Sequence, residues 1–230
     1  MDSKSLIGVV GLAGSGKGTI AKYLRDKKNY REMAFADSPK YCLCNIFYWD
    51  FEMLKGETPE SREWREKPDP YWSKRLGRPV IPREEMKKFA TDVCRVHYFR
   101  SIWVESFIAK YRHQSEAGYK ENIVVSDVRH LNEMKTLKEL GGTLVYVERE
   151  VPEWLKDIKD LTVAEQDPKA IEDILDLNML RLEEEKNLPH NSEWDWIKGK
   201  NLLDVCIKNT GTISDLENKI SEEVLKEAYV

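Results

Sequence analysis

The chain has 230 residues and a formal net charge of −4, so it can bury one full core, and its charge argues against a broad nucleic-acid surface, which needs clustered lysine and arginine. No run of about eighteen apolar residues and no leader pattern is present, so a cytoplasmic protein without a membrane segment is expected. The four cysteines, Cys42, Cys44, Cys94 and Cys206, are irregularly spaced and read as reduced thiols rather than zinc ligands.

In chain order, the first feature is Leu6 to Thr19, LIGVVGLAGSGKGT. An apolar run suited to a strand buried on both faces breaks into a glycine-rich turn and then a helix. Gly11, Gly14, Gly16 and Gly18 let the backbone turn its N–H groups onto a polyphosphate, and Lys17 adds a cation at the β- and γ-phosphates. The pattern G-x-x-x-x-G-K-[ST] is met except at its last position, where Gly18 precedes Thr19. A first helix is expected over 19–28, a second strand over 30–36, and a second helix from Pro39 to about Leu54, with Ser38 as its cap.

Lys55 to Pro82 holds five of the nine prolines and is expected to be an irregular functional loop. Helices are expected over 83–96 and 101–113 from apolar residues at three- and four-residue spacing. A strand over 123–126 ends in Asp127; a helix over 131–140 stops at Gly141 and Gly142; strands follow over 143–148 and 202–207. Ser214 is expected to cap a terminal helix. Alternation of this kind predicts a parallel sheet of five strands with helices on both faces.

The segment 150–200 carries fourteen acidic and seven basic residues, net −7, which leaves +3 on the remainder. Ile171, Ile174, Leu175 and Leu182 share one helical face within it, so a structured lid insertion is expected. Its basic residues include Arg181, and Arg149 immediately precedes it.

Asp127, at the end of a central strand, is where a phosphate-loop enzyme needs a carboxylate to order Mg²⁺ and its waters, with Thr19 as the hydroxyl ligand. Arg129 follows two residues on; a strand-terminal ion pair is the structural alternative for both. The form GSGKGT resembles the loop of adenylate and UMP/CMP kinases, in which the residue after the lysine is also glycine. In those enzymes the arginine after this strand binds the acceptor phosphate.

Beyond the loop, KGETPESREWREKPDPYWSKRLGRPVIPREEMKKFATDVCR, IWV, VVSDVRHLNEM, GGTLVYVER, HNSE and NLLDVCIKNTGTISDLENKI occur in that order. Together they resemble the deoxynucleoside monophosphate kinases of tailed bacteriophages over nearly the whole chain. The resemblance implies a P-loop NTPase three-layer α/β fold and transfer of the ATP γ-phosphoryl group to a deoxynucleoside 5′-monophosphate. It implies one domain, 1–230, with an acceptor-binding helical region at 37–117 and the lid at 150–200, and leaves a homodimer open.

By the same resemblance Ala13, Gly14, Ser15, Gly16, Lys17, Gly18 and Thr19 hold ATP. Ala36, Asp37, Lys40, Arg65, Arg83, Thr91, Trp103, Asp127, Arg129 and Glu133 hold the acceptor, with Lys17, Arg129 and Asp127 catalytic. Trp103 reads equally as core, and His190, Ser192 and Glu193 read equally as a helix cap. The chain departs from the family at Ala90, where glycine is usual, so base specificity stays open. Asn209 to Gly211 form a turn where related kinases place adenine, assigned here through backbone alone. No general base is required, because a phosphate monoester acceptor is already ionised. The competing expectations are a kinase of a ribonucleotide, phosphomevalonate or dephospho-coenzyme A, and a nucleotide-hydrolysing switch that works through a partner.

Overall fold

The computed structural model describes residues 5–119, 121–150, 152 and 194–228. Most of the expected lid, with Arg181, its inserted helix and His190 to Glu193, lies outside the described residues. The chain divides into two compact units, one of residues 1–34 and 120–230, the other of residues 35–119.

The first unit is a five-stranded, all-parallel sheet, with order β2-β3-β1-β4-β5. Its strands are β1 (Leu6–Val10), β2 (Tyr30–Met33), β3 (Asn122–Val128), β4 (Thr143–Glu148) and β5 (Val205–Lys208). Every residue of β1 is buried, as a central strand covered on both sides requires. On one face Ile7 and Val9 join Val124, Val145, Val147 and Ile207 under Ile20, Ala21 and Leu24 of α1 (Lys17–Lys28). Leu216 of α9 (Ile213–Lys219) completes that layer.

The opposite face is closed by α8 (Leu131–Glu139), and here the approach is tight enough to demand glycine. A Cβ on Gly8 would lie 2.6 Å from Leu137 Cδ1 and 2.7 Å from Leu144 Cδ2. A 3₁₀ segment, Asp195–Leu202, extends this layer, with Trp196 stacked on Tyr146 at 4.7 Å between ring centroids. The expected three layers are therefore present.

The second unit is helical: α2 (Asp37–Phe47), α3 (Phe51–Lys55), α4 (Pro59–Trp64), α5 (Pro70–Leu76), α6 (Pro82–Lys87), a π-helical run Lys88–Val96, and α7 (Ile102–Glu116). Its core gathers Leu43, Trp49, Leu54 and Val80, with Phe47, Trp64 and Trp72 packed around them.

Several boundaries differ from expectation. The helix expected over 39–54 breaks at Tyr48, which is left-handed (φ 59°), because Asp50 caps α3 through Met53 N–H at 2.9 Å and Trp49 turns inward to donate to Asp69. The stretch 55–82 is not an irregular loop: Pro59, Pro70 and Pro82 stand at the first turns of short helices, two of them capped by Thr58 and Asp69. The strand expected over 202–207 begins at Val205, since Asp204 turns to accept from Leu144 N–H and Lys138. Thr212, not Ser214, caps α9, in a capping box with Asp215. No helix among the described residues is long and apolar enough to cross a membrane.

Candidate active site

The turn after β1 has the backbone its glycines allow. Gly11, Gly14 and Gly16 have φ of 153°, 78° and 111°, and a Cβ on Gly14 or Gly18 would meet nothing within 4 Å, so the loop is open above these two residues. Beneath it space is scarce. A Cβ on Gly11 would lie 2.6 Å from Val147 O and 2.7 Å from Ser15 Oγ, and Ser15 Oγ is buried with no hydrogen-bond partner.

α1 opens without a side-chain cap and without an acidic residue in its first turn. Its first N–H groups and the positive end of its dipole are thus left for an anion. Lys17 Nζ folds back to donate to Gly11 O at 2.6 Å and Leu12 O at 2.7 Å. These features fit a nucleotide polyphosphate: open space over a glycine turn, an uncapped helix start, and a lysine held at the loop by two carbonyls. Thr19 lies in the first turn of α1.

The end of β3 is brought beside this loop by strand pairing. Gly8 pairs with Val125 and Val10 with Val128, so Ser126 and Asp127 together stand opposite Val9. This extra residue is a bulge, a device that re-aims neighbouring side chains. It puts Asp127 at the carboxyl end of the strand next to the loop, half-buried, with Arg129 immediately beyond it. No group of three or more potential metal-ligating side chains occurs among the described residues. Thr19 and Asp127 would offer one hydroxyl and one carboxylate, a donor set that suits Mg²⁺, an ion that commonly takes its other ligands from phosphate and water.

Glu133, expected at the acceptor, braces the backbone ahead of α8. It is 2% exposed, and its Oε2 accepts from Arg129 N–H at 2.8 Å and His130 N–H at 3.0 Å, so it fixes the backbone that carries Arg129. His130 in turn meets Asp195 Oδ2 at 3.0 Å, and Leu131 N–H donates to the same oxygen at 3.3 Å. Burial alone would raise the Asp195 carboxyl, but the hydrogen bond and charge of His130, then Lys198 and Leu131 N–H, hold it below its ordinary value. Sequence reasoning missed this pair, whose members lie 65 residues apart with no local signal. Arg149 is exposed just past the end of β4.

The remaining expected acceptor residues belong to the second unit. Arg83 N–H donates to Arg65 O at 3.0 Å, which makes the two arginines neighbours, and Arg83 also pairs with Glu66. Arg65 covers Gly56, where a Cβ would strike the guanidinium, and donates to Lys55 O at 3.2 Å. Thr91 lies in the π-helical run, and Trp103, 6% exposed, donates its indole N–H to Ala90 O at 2.9 Å. Trp103 is thus buried and bonded to the backbone next to Thr91. At the start of α2, buried Lys40 faces Asp37 at 3.8 Å, with its N–H bonded to Ala36 O.

A family model described as deoxynucleotide monophosphate kinase matches residues 79–187. A protein of Acanthamoeba polyphaga mimivirus named "Putative deoxynucleotide monophosphate kinase" is 33% identical over 159 residues, 63% of this chain and 74% of that protein. Among solved structures, dephospho-CoA kinase from Campylobacter jejuni aligns over 98% of both chains at 14% identity with a TM-score of 0.46. Shikimate kinase from Acinetobacter baumannii aligns over 98% of this chain and 96% of its own at 15% identity, with a TM-score of 0.42.

Proposed function

Because the chain belongs to the deoxynucleotide monophosphate kinase family, and is therefore a nucleotide kinase, we propose that it transfers the γ-phosphoryl group of ATP to a deoxynucleoside 5′-monophosphate, giving ADP and the deoxynucleoside diphosphate. The observation that carries this reading is the uncapped start of α1 beneath an open glycine turn, with Lys17 held at its mouth. Such a loop binds a polyphosphate through backbone N–H groups, which are present before the ligand arrives and need no reorganisation.

In this reading Ala13 to Thr19 wrap the ATP phosphates, and Lys17 exchanges the carbonyls of Gly11 and Leu12 for phosphate oxygens. An acceptor phosphate oxygen attacks the γ-phosphorus in line while the β-phosphate oxygen of ADP leaves. The protein's contribution is positioning and neutralisation of charge. Arg129, its backbone held by Glu133, binds the acceptor phosphate. Arg65 and Arg83, whose backbones share a hydrogen bond, are assigned as further acceptor ligands, since forked guanidinium donors suit phosphate better than the ammonium of lysine does. Lys40, Asp37, Ala36, Thr91 and Trp103 contribute to holding the acceptor nucleoside. Thr19 and Asp127 would hold Mg²⁺, Asp127 through water, and the ion would supply further neutralisation of phosphate charge.

A coupled assay for ADP formation, run with ATP against each deoxynucleoside and ribonucleoside monophosphate, tests the proposal. ADP release that depends on a deoxynucleoside monophosphate is the expected outcome. Turnover that needs a different phosphorylated acceptor would reassign the substrate, and ATP hydrolysis indifferent to any acceptor would favour a switch protein.

A further inference from the structure

The sequence gives Asn209 a place in a turn and no task for its side chain. In the structure that side chain reaches back to the phosphate loop: Asn209 Nδ2 donates to Ser15 O at 2.8 Å, across 194 residues of sequence. The amide occupies the volume that a side chain at position 16 would need, since a Cβ on Gly16 would lie 2.6 Å from Nδ2. Asn209 is itself anchored in the sheet, where its backbone N–H donates to Glu148 O at 2.7 Å just past the last β4–β5 pair, Glu148 with Lys208. On its other side the turn leads through Gly211, packed against the Asp215 carboxylate, into α9, whose Leu216 methyl lies 3.5 Å from the same Gly16 Cβ position.

We infer that Asn209 is a positioning residue for ATP binding, acting through the peptide plane between Ser15 and Gly16. No cis peptide bond occurs among the described residues, and in a trans peptide the C=O and N–H point in opposite directions. Holding Ser15 O towards Asn209 therefore aims Gly16 N–H the other way, away from Asn209. Gly16 is the N-cap of α1 and carries no side chain to fix its own orientation. An unrestrained glycine peptide can rotate freely, and each N–H that must be reoriented on binding weakens the site. The sheet, through Asn209, removes that freedom before nucleotide arrives. The inference rests on the phosphate-loop reading of residues 11–19.

The test compares the full-length protein with Asn209→Ala and Asn209→Asp. ATP affinity is measured by calorimetric titration without acceptor, and KM for both substrates in the coupled assay. Loss of one such hydrogen bond should weaken ATP binding roughly five- to ten-fold in Asn209→Ala, with KM for the acceptor unchanged. Asn209→Asp is isosteric but presents an acceptor to Ser15 O, so it should bind ATP more weakly than the alanine variant at pH 8. Its deficit relative to wild type, measured at each pH, should shrink on acidification, because the protonated acid again supplies a hydrogen to Ser15 O. The alanine deficit should stay flat. Wild-type ATP affinity in Asn209→Ala, a pH-independent deficit in Asn209→Asp, or a parallel loss of both substrates with lowered melting temperature would each overturn the positioning role. Failure of the wild type itself to bind ATP would instead overturn the phosphate-loop reading, and the inference with it.

Discussion

Gly16→Ala tests the loop geometry most directly. The backbone at this residue (φ 111°, ψ 6°) is one that a side chain resists, at a cost of about 1–2 kcal/mol for an L-residue. The new methyl would also arrive 2.6 Å from Asn209 Nδ2, closer than packed carbons come to any neighbour, while Leu216 at 3.5 Å stays in ordinary contact. The Asn209 amide must then withdraw, and the bond to Ser15 O is lost, worth about 1 kcal/mol. Together these predict a loss of about 2–3 kcal/mol, or about 5–10 °C in melting temperature for a chain of this size. Urea denaturation should show a lower midpoint with an unchanged slope. The two causes separate in a double-mutant cycle. With Asn209 already replaced by alanine, Gly16→Ala should cost about 1 kcal/mol less, because the contact it breaks is gone. A Gly16→Ala protein within 0.5 kcal/mol of wild type would refute the backbone argument, and strict additivity would refute the contact argument.

The other predictions concern single side chains. Lys17→Ala should lower transfer by at least about 100-fold if the ammonium stabilises transition-state charge; near-normal turnover in a folded variant would remove the loop from the mechanism. Arg129→Ala should chiefly raise KM for the acceptor, and a large rise in KM for ATP alone would contradict its assignment. Asp195→Asn should destabilise the protein by about 1–3 kcal/mol at neutral pH, since it weakens a mostly buried pair with His130. The Asp195 carboxyl is depressed on folding, so its contribution is present above its unfolded value, near 3.8, and is lost as the pH falls through the lower folded value. The gap between variant and wild type should therefore close in acid, and a gap that widens there would show the sign to be wrong.

The sheet and the phosphate loop were legible because their chemistry leaves few choices. A strand buried on both faces must be apolar throughout, and a backbone that wraps phosphate must be rich in glycine, so residues 6–19 announce both. Boundaries were less legible where one residue type serves two purposes. The prolines of 55–82 suggested irregular chain, yet Thr58-Pro59 and Asp69-Pro70 are each a cap followed by the one helical position proline favours. Tyr48 gives no sign of its left-handed backbone; only Asp50, three residues before the N–H it caps, hints at the break. The π-helical run over Lys88–Val96 carries no local signature. The roles of Glu133 and Asn209 were hidden for a different reason. Each is decided by backbone groups it meets in the folded chain, and spacing in sequence does not record these.

The connectivity of the sheet has a further consequence, for how the chain reaches its native state. β1, the most buried strand, lies between β3 and β4, and it pairs with nothing nearby in sequence: Ser5 N–H meets Asn122 at a separation of 117 residues. Residues 35–119 intervene, and they form a compact unit of their own. On a ribosome adding about 5–20 residues per second, the apolar strand LIGVV emerges at least several seconds before either of its sheet partners. Pairing of β1 with β3 and β4 is thus a late event, which makes β1 the strand most exposed to misassociation during synthesis.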